Sequence, residues 1–419
     1  MNFVSLKKLI DIYPAAKTFA TFEFFHFEFL MRELLMNDPA ATSASILCVA
    51  LGWFPQSPGG VERYVYELSH HLAAVNDRIE LCGVGFPDIQ PDSPIQLTNL
   101  ASPHSPIWKR LWSVRRNFLN RKINQPDAIN LHFALYSFPV MDLLPKGVPV
   151  TFNFHGPWAL ESQQEAASQL SVFLKYWLVE KNVYRRCDRF IVLSKAFGNI
   201  LHQNYQVPWS KINIISGGVD LTRFQSNVSR QEARTQLNWP QDRAILFTPR
   251  RLVHRMGIDR LLMALAQVKP RVPDVWLAIA GKGPLKASLE QQAAELELNE
   301  CVKFLGFLPD QQLPLAYQAA DLTIMPSQSL EGFGLTLVES LACGTPIVCT
   351  PVGGMPEVIE TFSPELITTS PEAKDIAQRL EEVLTGKVSM PDRNACREYA
   401  VTQFDWNKIS QQVRQVLLA

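Results

Sequence analysis

Short apolar runs bounded by glycine and proline alternate along this chain with stretches of helical periodicity, and they do so in two successive series. Residues 45–51, 128–133, 148–154 and 189–193 form the first series; 244–248 and 275–280 belong to the second. Such alternation is what parallel sheets with crossover helices produce, so the pattern predicts an α/β chain of two similar doubly wound halves with no short-period repeat. A helix is expected over 61–74, after the Gly59-Gly60 turn, and 211–220 reads as the passage from one half to the other. At 419 residues with 47% apolar content, the chain is too long for one ordinary core and rich enough for two. Equal numbers of basic and acidic residues, 40 each, argue against a polyanion-binding protein, so nucleic acid is not expected as a partner. The 7 cysteines are odd in number and include no Cys-x-x-Cys pair, which suggests free thiols rather than a disulfide framework or a zinc site.

Function is most legible in residues 329–346. Glu331 and Glu339 bracket the turn Gly332-Phe333-Gly334 and the start of a helix. The glycines let backbone approach a ligand closely, and a helix beginning near Gly334 presents N–H groups suited to phosphate oxygens. Thr336, Glu339 and Cys343 share one stripe of that helix and Leu335, Val338, Leu341 and Ala342 another, so Glu339 is expected to face a cleft while the apolar stripe packs. Two carboxylates so placed would accept hydrogen bonds from hydroxyl groups at either end of a phosphate-linked ligand. Taken alone, two glutamates at this spacing read as readily as two solvated charges.

The segment resembles the donor site of the retaining glycosyltransferases of family 4 (glycosyltransferase group 1), whose hallmark is glutamate, seven residues, glutamate. Upstream, Ala280-Gly-Lys-Gly-Pro-Leu285, Phe304-Leu-Gly-Phe-Leu308 and Ala320-Asp-Leu-Thr-Ile-Met-Pro-Ser327 resemble the family's preceding motifs; downstream, Gly344-Thr-Pro-Ile-Val348 and Val352-Gly-Gly-Met-Pro-Glu-Val358 continue in the same order. In the first half, Pro58-Gly-Gly-Val-Glu-Arg63 and Phe154-His-Gly-Pro-Trp158 resemble its acceptor-side loops. The resemblance implies the GT-B fold, two Rossmann-like domains facing a central cleft: an acceptor-side domain over 44–214, a donor nucleotide-sugar domain over 215–402, and a C-terminal helix in 403–419 returning to the first. Residues 1–43 stand outside it as an extension. A start at Met31 or Met36, or an arm that packs or lies on a membrane surface, would account for them; their phenylalanine-rich part carries glutamates and is too broken for a spanning helix.

The implied activity is transfer of a hexose from a nucleoside-diphosphate sugar to an acceptor hydroxyl of a glycan or lipid-linked glycan, with retained configuration. The donor is a substrate, and neither cofactor nor metal is implied; the chain has no Asp-x-Asp motif of the kind that holds a metal diphosphate. By residue, Glu339 would hold the ribose and Glu331 the sugar hydroxyls, Phe333, Gly334 and Leu335 would offer backbone to the sugar and diphosphate, and Gly59 and Gly60 would let the opposite wall approach the phosphates. His155 would touch the transferred sugar; Trp158 would stack on sugar or simply pack. The leaving diphosphate needs fixed positive charge. The family pattern puts Arg251 at the phosphate-binding arginine but Met256 where lysine is usual, and methionine carries no charge. Arg255 beside it, alone or with Arg250 in a shifted register, is the candidate substitute, and arginine's planar fork suits phosphate. Met256 also motivates a rival reading, a non-catalytic sugar-nucleotide-binding protein or partner subunit. A second departure is Gly217, where the family usually has asparagine. A nicotinamide dehydrogenase is disfavoured because Gly281-Lys-Gly-Pro lacks a third glycine. Residues 107–122 are basic and aromatic with no acid, reading either as an ordinary amphipathic surface helix or as a peripheral contact with an anionic membrane. The expected location is cytoplasmic, at or near the inner face of the membrane.

Overall fold

The computed structural model describes residues 43–419 apart from 58, 88–93, 166 and 226–227; the expectations placed on residues 1–42 lie outside the described residues. Seven strands, β1 (Ser45–Val49), β2 (Arg78–Val84), β3 (Ile95–Ala101), β4 (Ala128–Leu131), β5 (Val150–Phe154), β6 (Arg189–Val192) and β7 (Ile212–Ile214), form a sheet of order β3-β2-β1-β4-β5-β6-β7. Every pairing in it is parallel. The chain winds outward in both directions from β1 and β4, so a switch point for ligands lies beyond their carboxyl ends.

Period-two alternation assigns the two faces of β1 to separate cores. In β1, Ile46 and Cys48 join the cluster that contains Tyr64 and Leu68 of the helix Gly60–Ala74. Leu47 and Val49 join the opposite cluster, with Val114 and Phe118 of the helix Ile107–Phe118 and Phe197 of the helix Lys195–Tyr205.

The second sheet comprises β8 (Ala244–Pro249), β9 (Val275–Ala280), β10 (Val302–Gly306), β11 (Leu322–Met325) and β12 (Ile347–Cys349), in the order β10-β9-β8-β11-β12 and again all parallel. It has its own continuous core. β2 and β3 were not evident in the sequence, and Glu80 shows why: it sits fully buried mid-strand, where an apolar run would be sought. Its carboxylate accepts from Thr98 Oγ1 (2.6 Å) and the Lys122 and Ile123 amides (2.8 and 2.5 Å), which satisfies the buried charge.

Several ties join the two sheets. The Val219 amide donates to Phe404 O (2.9 Å), and Trp406 lies so close beneath Gly218 that a Cβ there would sit 2.5 Å from the indole. The helix Trp406–Leu418, capped by Asp405, packs Ile409 and Val413 into the same cluster as Ile46 and Tyr64, and Arg414 Nε pairs with Asp77 (2.7 Å). Glu357 accepts from the Lys195 and Ala196 amides (2.7 and 2.9 Å), so a carboxylate of the second domain occupies a helix N-terminus of the first. All 7 cysteines are free and buried.

Candidate functional site

Between β11 and the helix Leu335–Ala342 the chain passes through two left-handed residues, Leu330 (φ 50°) and Gly334 (φ 83°). A bend of this kind is costly for a residue with a Cβ, which explains the glycine at 334. The loop is locked from behind: Gly353 packs so tightly that a Cβ would lie 1.9 Å from Glu331 O.

Glu331 is held by Arg250, which donates to its carboxylate and to Ser327 Oγ. Burial pushes the Glu331 carboxyl up, but Arg250, with Arg255 and Ser327, more than offsets this and holds it below the usual carboxylate range. Glu339 accepts from Tyr317 OH (2.8 Å) and from Arg63 Nη1, a residue of the opposite domain. Arg63 Nη2 also pairs with Asp310 (2.7 Å), to which Arg223 binds at 2.7 Å. Each glutamate therefore has its own arginine.

The stripe reading of this helix needs correction. It is buried on almost every side, because the sheet lies beneath it and the helix Arg393–Gln403 lies over it. Cys343, expected beside Glu339 on the cleft stripe, is fully buried in the core, and burial pushes its thiol up. Leu335, expected to pack, is half-buried and faces the first domain, 3.7 Å from where a Cβ of Gly60 would lie. Phe333 lies edge-on to Phe404 (5.7 Å) and against Gly217, where a Cβ would approach its ring to 3.0 Å. Asparagine at 217 would press on Phe333, which accounts for that departure.

Arg250 and Arg255 turn inward around residues 327–331, whereas Arg251 is exposed and Met256 is buried. Arg255 donates to Leu330 O (3.3 Å) and forms ion pairs with Glu161 (3.7 Å) and Glu165 (3.5 Å) of the first domain. Arg250 Nε and Arg255 Nε are both buried without a hydrogen-bond partner. Burial raises Glu62 and Glu161; Arg251 opposes the shift in both, after Arg255 in the case of Glu161.

On the opposite wall, the Glu62 carboxylate lies directly against the turn, with Oε2 2.1 Å from where a Cβ of Gly59 would be. His155 Nε2 meets His132 Nδ1 at 3.1 Å, and Tyr64 packs edge-on to His155 at 4.9 Å. Burial lowers His155 to about 3; burial, then His155, holds His132 well below the usual histidine value. Both rings are thus neutral near pH 7, one donating its N–H to the bare nitrogen of the other. Trp158 packs edge-on to Phe133 (5.6 Å), with Lys175 Nζ 4.6 Å from its ring.

Sequence reading missed His132, Arg63, Tyr317 and Asp310. His132 follows β4 just as His155 follows β5, so its strand-end position was the available signal. Arg63 lay in a quoted motif, but its partner is 276 residues away.

Two family models match the chain: Glycosyltransferase Family 4 over residues 58–223, and Glycosyl transferases group 1 over residues 229–403. A D-inositol 3-phosphate glycosyltransferase of Saccharomonospora viridis is 30% identical over 272 residues, 62% of this chain and 62% of that protein. One of the same description from Mycolicibacterium smegmatis is 34% identical over 233 residues, 54% of this chain and 52% of that protein. The chain thus spans between half and two thirds of the length of these relatives. Glycogen synthase of Mycobacterium tuberculosis is 25% identical over 401 residues, 89% of this chain and 94% of that protein. Among solved structures, sucrose-phosphate synthase from Thermosynechococcus elongatus superposes with a TM-score of 0.72 at 23% identity, covering 89% of this chain and 98% of the other. Anabaena HepE in complex with UDP-glucose does so with a TM-score of 0.68 at 22% identity, covering 89% and 99%.

Proposed function

Because the chain belongs to the family 4, group 1 glycosyltransferases and has their GT-B fold, we propose that it transfers a sugar from a nucleoside-diphosphate sugar to an acceptor hydroxyl of a glycan or lipid-linked glycan, with retained configuration and without a metal. The observation that carries this reading is the pairing of Glu331 and Glu339 around one turn, with two buried arginines at the same loop: Arg250, which donates to Glu331, and Arg255, which donates to Leu330 O. In this reading Glu339 takes the ribose hydroxyls and exchanges Arg63 for them, while Glu331 takes hydroxyls of the sugar. Arg255, released from Glu161 and Glu165, and Arg251 at the rim supply the positive charge that the departing diphosphate needs; Arg250 orients Glu331. The backbone of Phe333, Gly334 and Leu335, with Gly59 and Gly60 opposite, lines the diphosphate.

The bond from the anomeric carbon to the diphosphate breaks as the bond to the acceptor oxygen forms on the same face. The acceptor proton passes to the departing phosphate oxygen. His155, neutral and oriented by His132, contacts the sugar as a hydrogen-bonding group rather than as a charge. The test is incubation with UDP-, GDP- and ADP-sugars while following nucleoside-diphosphate release: release from one donor, abolished by Glu331→Gln, supports transfer. Met256 at the usual lysine position favours one second reading, a non-catalytic sugar-nucleotide-binding subunit, which predicts donor binding with no release.

A further inference from the structure

Of the 16 large apolar side chains exposed among the described residues, nine lie in two short segments of the first domain. The first is the helix Ile107–Phe118, which buries Val114 and Phe118 and turns Trp108 (66% exposed), Trp112 (61%) and, just past its end, Leu119 (60%) outward. Separations of four and seven place these three on one stripe. The second runs through the helix Gln169–Phe173 and the π-helix Leu174–Glu180, where Leu170 (69%), Phe173 (56%) and Trp177 face solvent.

Charge selects the occupant. No acid occurs in residues 107–122 or 167–179. Lys109 and Arg116 lie 5.2 and 4.7 Å from the rings of Trp108 and Trp112, and Trp177 is backed at 3.8 Å by Lys181, which is itself buried. Asp142, the acid beside the first helix, is already engaged by Arg115 (2.6 and 2.8 Å). A second copy seated on this face would bring base against base with no acid to meet it. An anionic bilayer offers what the surface lacks: phosphates for the bases and an interfacial zone for tryptophan.

The two segments are linked to each other and to the cleft. Arg110 donates to Tyr136 OH (3.2 Å) and Arg115 to Pro139 O (2.8 Å), and the segment carrying these two residues, the helix Ala134–Ser137 and the turn Phe138–Val140, also abuts the π-helix. Lys175 donates to Ser162 Oγ (2.6 Å) on the helix Trp158–Gln164, whose Gln164 bonds Ser329 of the donor wall. One seven-residue helix thus separates the apolar face from the donor loop.

We propose that these two stripes form one docking surface for an anionic bilayer, and that the acceptor is an amphiphile anchored there and presented at the Trp158 end of the cleft. The acceptor assignment rests on the transferase reading; the docking does not. The test is flotation of the full chain with phosphatidylcholine vesicles and with mixed phosphatidylcholine/phosphatidylglycerol vesicles, using wild type, Trp108→Ser/Trp112→Ser and Phe173→Ser/Trp177→Ser. Wild type should float with the mixed vesicles only and be released by high salt, and each double variant should bind at least about tenfold more weakly while its donor hydrolysis is unchanged. The substituted side chains are exposed, and circular dichroism verifies that the variants are folded. Absence of enrichment on anionic vesicles, or flotation of both variants like wild type, overturns the docking. A doubled mass in solution that the tryptophan substitutions abolish gives the face to a second copy and also overturns it. Flotation by a protein that no donor stabilises supports the docking and overturns the acceptor assignment.

Discussion

Glu331→Gln should destabilise the donor domain by about 3 kcal/mol, for a reason that can be separated from its effect on turnover. The side chains of Arg250 and Glu331 are 7% and 14% exposed, so the substitution leaves a buried guanidinium with Ser327 Oγ but no counter-charge. Breaking a buried pair costs about 3–5 kcal/mol, and glutamine, which keeps the shape and one acceptor, belongs at the lower end. For a domain of this size that lowers the unfolding midpoint by roughly 6–12 °C. Adding Arg250→Met should cost little more, because it removes the stranded charge, so a double-mutant cycle should show about 2–3 kcal/mol of coupling. The pH dependence has a defined sign. The Glu331 carboxyl is held below its ordinary value, so its stabilisation is fully present above the ordinary carboxylate range and lost as pH falls below it. The gap between wild type and Glu331→Gln should be constant from neutrality down to about pH 5 and then shrink. Additive single-variant losses, or a gap that widens in acid, would refute the reasoning.

The remaining expectations concern individual groups. His155→Asn should lower turnover by about 10–100-fold, and because His155 is held down to about 3, the wild-type profile should show no inflection from it between pH 5.5 and 8; an inflection near 6.5 that the variant removes would contradict this. Burial raises Glu180 to about 7, so the stability it contributes is present below the ordinary carboxylate range and lost as pH rises through about 7. The unfolding midpoint should therefore decline over that interval, less steeply in Glu180→Gln; identical slopes would count against it. Arg255→Met should cost about 10²–10³ in turnover, whereas Met256→Lys should destabilise without activating, since position 256 is buried; steady-state rates and midpoints on both variants decide, and activation by the lysine would reverse the assignment.

How far the chain could be read ahead of its structure follows from where each residue finds its partners. β1, β6 and β9 carry buried apolar side chains on both faces and were visible as runs, as was β5, although one of its faces carries the buried polar Thr151 and Asn153. β2 was hidden by Glu80, whose charge is satisfied by amides more than 40 residues away, and β3 by alternating polar residues such as Gln96 and Thr98. The two glutamates and their turn were legible because local spacing and the left-handed glycine are written in consecutive residues. Their arginines were less so: Arg250 and Arg255 were candidates of uncertain register, and Arg63 reaches Glu339 only through interdomain packing. Cys343 was misplaced because helical periodicity tells which residues share a face, not how many faces are covered. The exposed stripe of Ile107–Phe118 was half-anticipated from its composition, while that of Leu174–Glu180 was not, since a π-helix departs from the 3.6-residue period.

The central claim is that Glu331 and Glu339 form the donor site, and thermal unfolding in the presence of UDP-, GDP- and ADP-sugars, on wild type and on Glu339→Gln, tests it most directly. One donor should raise the wild-type midpoint relative to its own nucleoside-free baseline, and the rise should be absent or much reduced in Glu339→Gln. A rise of equal size in both proteins, or none with any donor, would contradict it.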